Sequence, residues 1–156
     1  MTKTNAMRLL DAAKIPYRTA EYDYDESDLS GVHAAESIGM PPEQVFKTLV
    51  TRGDKTGPTV FCIPVAEELD LRRAAAVSGN KRVEMIHVKE LLGLTGYIRG
   101  GCSPIGMKKA FPIYIDETAI LFDEIAVSAG MRGEQIIIAP DDLAGYVSAK
   151  LAEITA

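Results

Sequence analysis

Phe46-Lys47-Thr48-Leu49-Val50-Thr51-Arg52, then Gly53-Asp54-Lys55-Thr56-Gly57, then Thr59-Val60-Phe61-Cys62-Ile63-Pro64 is the stretch on which the fold turns. Two runs rich in β-branched and aromatic residues flank a short segment bounded by glycines. That pattern predicts two antiparallel strands joined as a hairpin. Lys47 interrupts the first run. Burying an ammonium is costly unless it meets an anion or a carbonyl, so this side chain either snorkels to water or points at a ligand. The residue pattern leaves both readings open.

On the N-terminal side of the hairpin, residues 5–14 carry Met7, Leu10 and Ala13 at helical spacing, with Leu9 widening the face and Pro16 ending it. Residues 17–22 favour a strand, and residues 23–31 are acidic and turn-rich. Ser30 is placed to cap a helix running to Ile38, with Gly39 as its stop. Pro41-Pro42-Glu43-Gln44 reads as the first turn of another short helix.

On the C-terminal side, residues 70–78 predict a helix with Leu71, Ala74 and Ala75 inward and Gly79 closing it. A short strand over 81–85 follows, then a helical turn or two over 87–92 ended by Gly93. Tyr97-Ile98-Arg99 and residues 111–115, 125–128 and 135–139 read as strands. Leu143, Val147, Leu151 and Ile154 recur at helical spacing, which predicts one final helix capped by Asp141. Strands outnumber helices and occur in hairpin-like runs, so the expected class is α+β with a curved mixed sheet.

A chain of 156 residues with 47% hydrophobic and 25% charged residues fits one soluble domain, residues 1–156. No apolar run approaches the length needed to cross a bilayer. Met1-Thr2-Lys3-Thr4-Asn5 leads into a segment containing Arg8 and Asp11, unlike a signal peptide, so the expected location is cytoplasmic. Cys62 and Cys102 lie far apart, and neither His33 nor His87 is near them, so no metal or other cofactor is expected. Cys62 reads as a buried strand thiol.

The formal net charge of −5 argues against non-specific binding of long nucleic acid, but not against recognition of one nucleotide end. Positive charge gathers at Arg72-Arg73, Lys81-Arg82, Arg99, Lys108-Lys109 and Arg132. Each of these clusters also fits a solvated face.

Gly100-Gly101-Cys102-Ser103-Pro104-Ile105-Gly106, with Lys108-Lys109 just beyond, is neither helix nor strand interior. Such a loop can point several N–H groups into one concavity, suiting an anion or a carbonyl oxygen gaining charge; the plainer reading is a tight bend. Cys102 has no histidine or acid near it in sequence to activate it as a nucleophile. Ala126-Val127-Ser128-Ala129-Gly130-Met131-Arg132-Gly133 is a second strand ending in a small-residue loop with a cation.

Taken in order, residues 44–49, Leu69-Asp70-Leu71, Thr95-Gly96-Tyr97, the Gly100 loop with Lys108-Lys109, and Val127 to Gly133 resemble the YbaK/EbsC family of aminoacyl-tRNA deacylases. These are related to the editing domain of prolyl-tRNA synthetases. The resemblance implies a barrel-like mixed sheet flanked by helices, and a pocket for the aminoacylated 3′ end of transfer RNA. It implies that Lys47 is the residue most closely tied to activity and that Tyr22, Tyr97, Gly100 and Ser128 line the site. The Tyr22 match needs a one-residue gap. Cys102, Ala129, Met131 and Met107 depart from the commoner pattern and make the pocket rim less basic.

The chain offers no Ser-His-Asp set and no paired carboxylates at a recognisable spacing. Ser103 and Ser128 lack an evident base and are assigned hydrogen-bonding roles. Backbone N–H groups around Gly100 and Gly101 are expected to stabilise the oxyanion. Lys47 is expected to hold the terminal phosphate, ribose or carbonyl, and Arg132 is expected to bind substrate. The resemblance then implies that the thiol of a mischarged cysteine attacks its own ester on proline transfer RNA. The alternatives are a water-using editor of another small residue such as alanine, and a non-catalytic module binding nucleotide ends or a synthetase. A prolyl-tRNA synthetase is the partner that the resemblance suggests.

Overall fold

The computed structural model describes residues 3–156. Met1 and Thr2, the first residues of the N-terminal segment considered above, lie outside them. Helix α1 (Asn5–Ala12) starts where the Thr4 hydroxyl accepts from the Met7 N–H, and it buries Ala6, Met7 and Leu10. Strand β1 (Arg18–Glu21) leads through the acidic segment to α2 (Gly31–Ile38). Ser30 caps α2 by accepting from the His33 N–H, and Gly39 ends it at φ +72°. A single 3-10 turn, Pro42–Gln44, then delivers the chain into the hairpin.

Strands β2 (Phe46–Gly53) and β3 (Gly57–Pro64) pair antiparallel from Phe46 opposite Pro64 to Gly53 opposite Gly57. Because side chains alternate across a strand, Phe46 and Val50 enter the main core with Val60 and Cys62. Lys47 and Leu49 stand on the other face, opposite Ile63 and Phe61. Helix α3 (Leu71–Ser78) covers that face with Ala74 and Ala75. Asp70 caps α3 by accepting from the Arg72 and Arg73 N–H groups. Leu71, expected inward, is 42% exposed, and the inward positions are Ala74, Ala75 and Ser78.

Strand β4 (Val83–Met85) pairs with the far end of β2, and α4 (Val88–Thr95) follows. Helix α4 runs through Gly93 and stops at Gly96, whose φ is +85°. Tyr97-Ile98-Arg99 is a turn rather than a strand, with the Gly101 N–H closing back on the Ile98 carbonyl. Strands β5 (Ile113–Asp116), β6 (Ile125–Ser128) and β7 (Glu134–Ile138) fall where the β-branched runs predicted them.

The end of the chain differs from expectation. Helix α5 (Pro140–Val147) begins with Pro140 at its first position, after Ala139 and not after an Asp141 cap, and stops at Ser148 with φ +55°. The remaining segment forms β8 (Lys150–Ala152), parallel to β5. Leu151 is therefore a strand residue 40% exposed, while Ile154 is buried against Phe61.

The class is α+β, with the sheet divided in two and not closed. A five-stranded mixed sheet has the order β4-β2-β3-β5-β8, and a three-stranded antiparallel sheet the order β1-β7-β6. They touch through a parallel bridge from Val45 to Ala126. Phe46, Val50 and Val60 of one sheet pack with Ile125, Val127 and Ile136 of the other in a shared core. Beside the Val45–Ala126 bridge, residues of both sheets line one cleft.

Candidate active site

Residues of both sheets line a cleft of about 490 Å³. Its walls come from Lys47 and Thr48 of β2, the start of α2, the Arg99–Gly100 turn with Cys102, and Ser128 and Gln135 of the smaller sheet. Lys47 is half-buried, and its ammonium has no hydrogen-bond or ion-pair partner among the described residues. Burial pushes its ammonium below the ordinary value of 10.5, and the charges of Glu68 and Glu67 act the other way. A desolvated cation without a fixed partner, at the wall of a cleft, suits an incoming anion or carbonyl.

Gly100 lines the cleft at φ +85°, a left-handed conformation that favours glycine. Gly101 packs against the neighbouring loop: a Cβ on it would sit 3.1 Å from the Met131 backbone. Its N–H donates to the Ile98 carbonyl at 3.0 Å. The Gly101 N–H is therefore committed to its own turn, whereas the Gly100 N–H has no protein partner among the described residues. Of the two glycines, Gly100 is the one with a donor to offer.

Tyr97 and Ser103 lie behind the cleft and not in its wall. The Tyr97 hydroxyl donates to the Ile105 carbonyl, and its ring fills the space beside Gly130, where a Cβ would come within 2.9 Å. Burial raises the Tyr97 phenol to about 12. Ser103 is fully buried, and its Oγ accepts from the Ile105 N–H at 3.2 Å. Both residues hold the glycine loops in shape.

Ser128 does line the cleft, with its Oγ accepting from the Gly130 N–H at 3.2 Å. That bond leaves the hydroxyl proton free to be donated. Arg132 donates from Nε to the Arg99 carbonyl at 2.9 Å, and its Nε lies 3.4 Å from where a Gly100 Cβ would be. It borders a second groove, and Tyr22 lines both that groove and the cleft. Lys47, Tyr22, Gly100 and Ser128 thus meet at one cleft, with Arg132 at its edge.

Cys102 also faces the cleft, where burial pushes its thiol to about 12. At neutral pH it is a thiol and not a thiolate, so it is a poor nucleophile. Cys62, fully buried, is raised to about 12 by the same cause.

One cleft residue was not singled out from the sequence. Gln135 is 5% exposed, lines the cleft, and its Oε1 has no hydrogen-bond partner among the described residues. Its signature was present: a polar residue opening Gln135-Ile136-Ile137-Ile138, the same anomaly that Lys47 shows in β2.

The aminoacyl-tRNA editing domain profile matches residues 29–146 of this chain. A relative from Enterococcus faecalis, named "Putative Cys-tRNA(Pro)/Cys-tRNA(Cys) deacylase EbsC", is 53% identical over 153 residues, 98% of this chain and 93% of that protein. A Bacillus subtilis protein, YwhH, is 27% identical over 83% of this chain and 82% of its own length. Among solved structures, "Crystal structure of a putative trans-editing enzyme for prolyl tRNA synthetase" superimposes with a TM-score of 0.84 at 24% identity, covering 100% of this chain and 99% of that one. Hypothetical protein APE2540 gives a TM-score of 0.86 at 19% identity, covering 96% and 97%. The two structural likenesses carry the fold, and the sequence matches carry the family: this chain belongs to the aminoacyl-tRNA editing domain family.

Proposed function

We propose that the cleft receives the aminoacylated 3′ end of transfer RNA and removes cysteine wrongly attached to proline transfer RNA. The observation that carries this reading is a cleft with a desolvated cation and polar groups but no activated protein nucleophile. Lys47 meets the terminal phosphate, ribose or carbonyl, and the Gly100 N–H stabilises the carbonyl oxygen as it gains charge. Ser128 donates a hydrogen bond to the bound end, and Tyr22 closes the cleft on the groove side.

The nucleophile then arrives on the substrate. The cysteinyl thiol loses its proton, and its sulfur bonds to the carbonyl carbon of its own ester. The carbon–oxygen bond to the ribose breaks, the ribose oxygen takes up a proton, and cysteine leaves as a cyclic thioester that water opens. Holding thiol and carbonyl together replaces a bimolecular encounter, worth at most about 7–11 kcal/mol in well-oriented systems. The strain of a four-membered ring takes back part of it. The half-buried Cys102 needs no chemical role in this scheme.

The whole chain, residues 1–156, acts as one deacylase domain in the cytoplasm. A net charge of −5 gives it a weak, salt-sensitive hold on RNA, so a prolyl-tRNA synthetase that delivers the substrate would help it. The test is a deacylation panel with pure protein. Cysteine on proline transfer RNA should be released and serine in its place retained, because serine lacks the thiol. Release of both at similar rates would show water attack, and binding without release would show a module that only recognises the end.

A further inference from the structure

A second groove adjoins the cleft where β1 ends and β7 begins, lined by Tyr22, Tyr24, Arg132, Gly133, Glu134 and Glu21 among others. Side-chain alternation separates the two sites. Gln135 and its register partner Ser128 face the cleft, so Glu134 points the other way, beside its own register partner Glu21. Glu134 is 3% exposed, and its Oε1 has no hydrogen-bond partner among the described residues. Two carboxylates directly opposed, one of them buried and unsatisfied, are unfavourable in the free protein. The arrangement calls for a hydrogen-bond donor from outside.

The rest of the groove says what carries that donor. Tyr24 rests on Gly133, where a Cβ would lie 3.0 Å from its ring, and stays 46% exposed. It offers a flat face for a base. Arg132 stands at the seam between groove and cleft, bonded to the Arg99 carbonyl through Nε, with its terminal N–H groups unpartnered among the described residues. A phosphodiester linking a nucleoside in the cleft to one in the groove would pass this guanidinium. Glu21 and Asp23 disfavour a phosphate deeper in the groove but not a neutral base.

Resting on the reading of the cleft as the site for the terminal aminoacyl-adenosine, we propose that this groove takes the penultimate cytosine of the transfer RNA end. Its ring stacks on Tyr24, its exocyclic amino group donates to the Glu134 carboxylate, and the linking phosphate meets Arg132. A carboxylate accepting from the cytosine amino group is a pairing that protein–nucleic acid contacts use for specificity. Uracil at the same place presents a carbonyl instead and leaves Glu134 unsatisfied.

The experiment compares cysteinyl proline transfer RNA ending in C-C-A with the same RNA carrying uridine at the penultimate position. The wild type should deacylate the uridine form with kcat/KM about tenfold lower. Glu134→Gln should bring the two ends to within about twofold, since an amide can accept from cytosine and donate to uracil. Equal turnover of both ends by the wild type would overturn the groove assignment and leave the deacylase intact. So would a Glu134→Gln variant that keeps the wild-type ratio. No turnover of either end by the wild type would overturn the deacylase reading, and this inference with it.

Discussion

Ser128 and Gln135 are register partners across the β6–β7 ladder, so their side chains stand together in the cleft wall. Ser128 has a hydroxyl proton to donate, and Gln135 has an amide oxygen without a partner. A donor and an acceptor at one place suit a group that is both, such as a ribose hydroxyl or an α-amine.

Replacing the unsatisfied amide of Gln135 by an apolar side chain of similar size should therefore separate binding from stability. Gln135→Leu should lower kcat/KM for cysteinyl proline transfer RNA by about tenfold while its urea midpoint stays level or rises. Steady-state deacylation and urea unfolding measure the two quantities. An unchanged kcat/KM would remove Gln135 from the site.

Lys47 should behave as a charge and not as a packing group. Lys47→Ala should cost about a hundredfold or more in deacylation, with the fold retained, as the loss of a preorganised charge in a dry site typically does. Full activity in that variant would sink the proposed mechanism. Burial holds the Lys47 ammonium below 10.5, and Glu68 partly offsets this. Dimethylated Lys47, followed by carbon NMR, should titrate below the exposed lysines, and Glu68→Gln should move it lower still. A rise on removing Glu68 would contradict the assignment of that charge.

Cys102 offers the opposite outcome. Its thiol, raised to about 12, should alkylate slowly in the folded protein at pH 7.5 and rapidly once unfolded. Cys102→Ala should keep deacylation within a few-fold, because in the proposed mechanism the reacting thiol belongs to the substrate. A collapse of activity with stability unchanged would return Cys102 to the chemistry.

Much of this could be read from local signals. The hairpin, the Ser30–Gly39 and Asp70–Gly79 helix boundaries, and strands β5 to β7 follow from capping, turn chemistry and β-branched runs. The chain end could not, because Leu151 and Ile154 continue the helical spacing of Leu143 and Val147 past the break at Ser148. Strand β8 exists through its pairing with β5, which lies some 35 residues earlier, and such a contact leaves no local mark. Gly93 could pass as a helix stop because it signals no more than permissiveness; Gly96 is where the backbone turns left-handed. In the site, Lys47 was legible as a charge in an apolar strand. The commitment of the Gly101 N–H and the burial of Ser103 depend on how the loop folds, which composition does not fix.

Glu134 gives a prediction that needs no substrate. Burial first, and the charge of Glu21 second, raise its carboxyl above the ordinary 4.5. The folded protein therefore holds a proton that the unfolded chain releases at lower pH. The Glu134 contribution to stability is fully present below about 4.5 and is lost as pH rises through the folded value. Glu134→Gln cannot ionise, so its unfolding free energy in urea should equal or trail the wild type at pH 4 and overtake it as pH rises toward 7. The gain should level off once the wild-type carboxyl is fully ionised. Glu21→Gln should shrink the gain by removing one of the two causes, leaving the part due to burial. A stability difference independent of pH would mean that Glu134 is paired in solution, and the groove would then lack the unsatisfied carboxylate on which the proposed recognition of a cytosine depends.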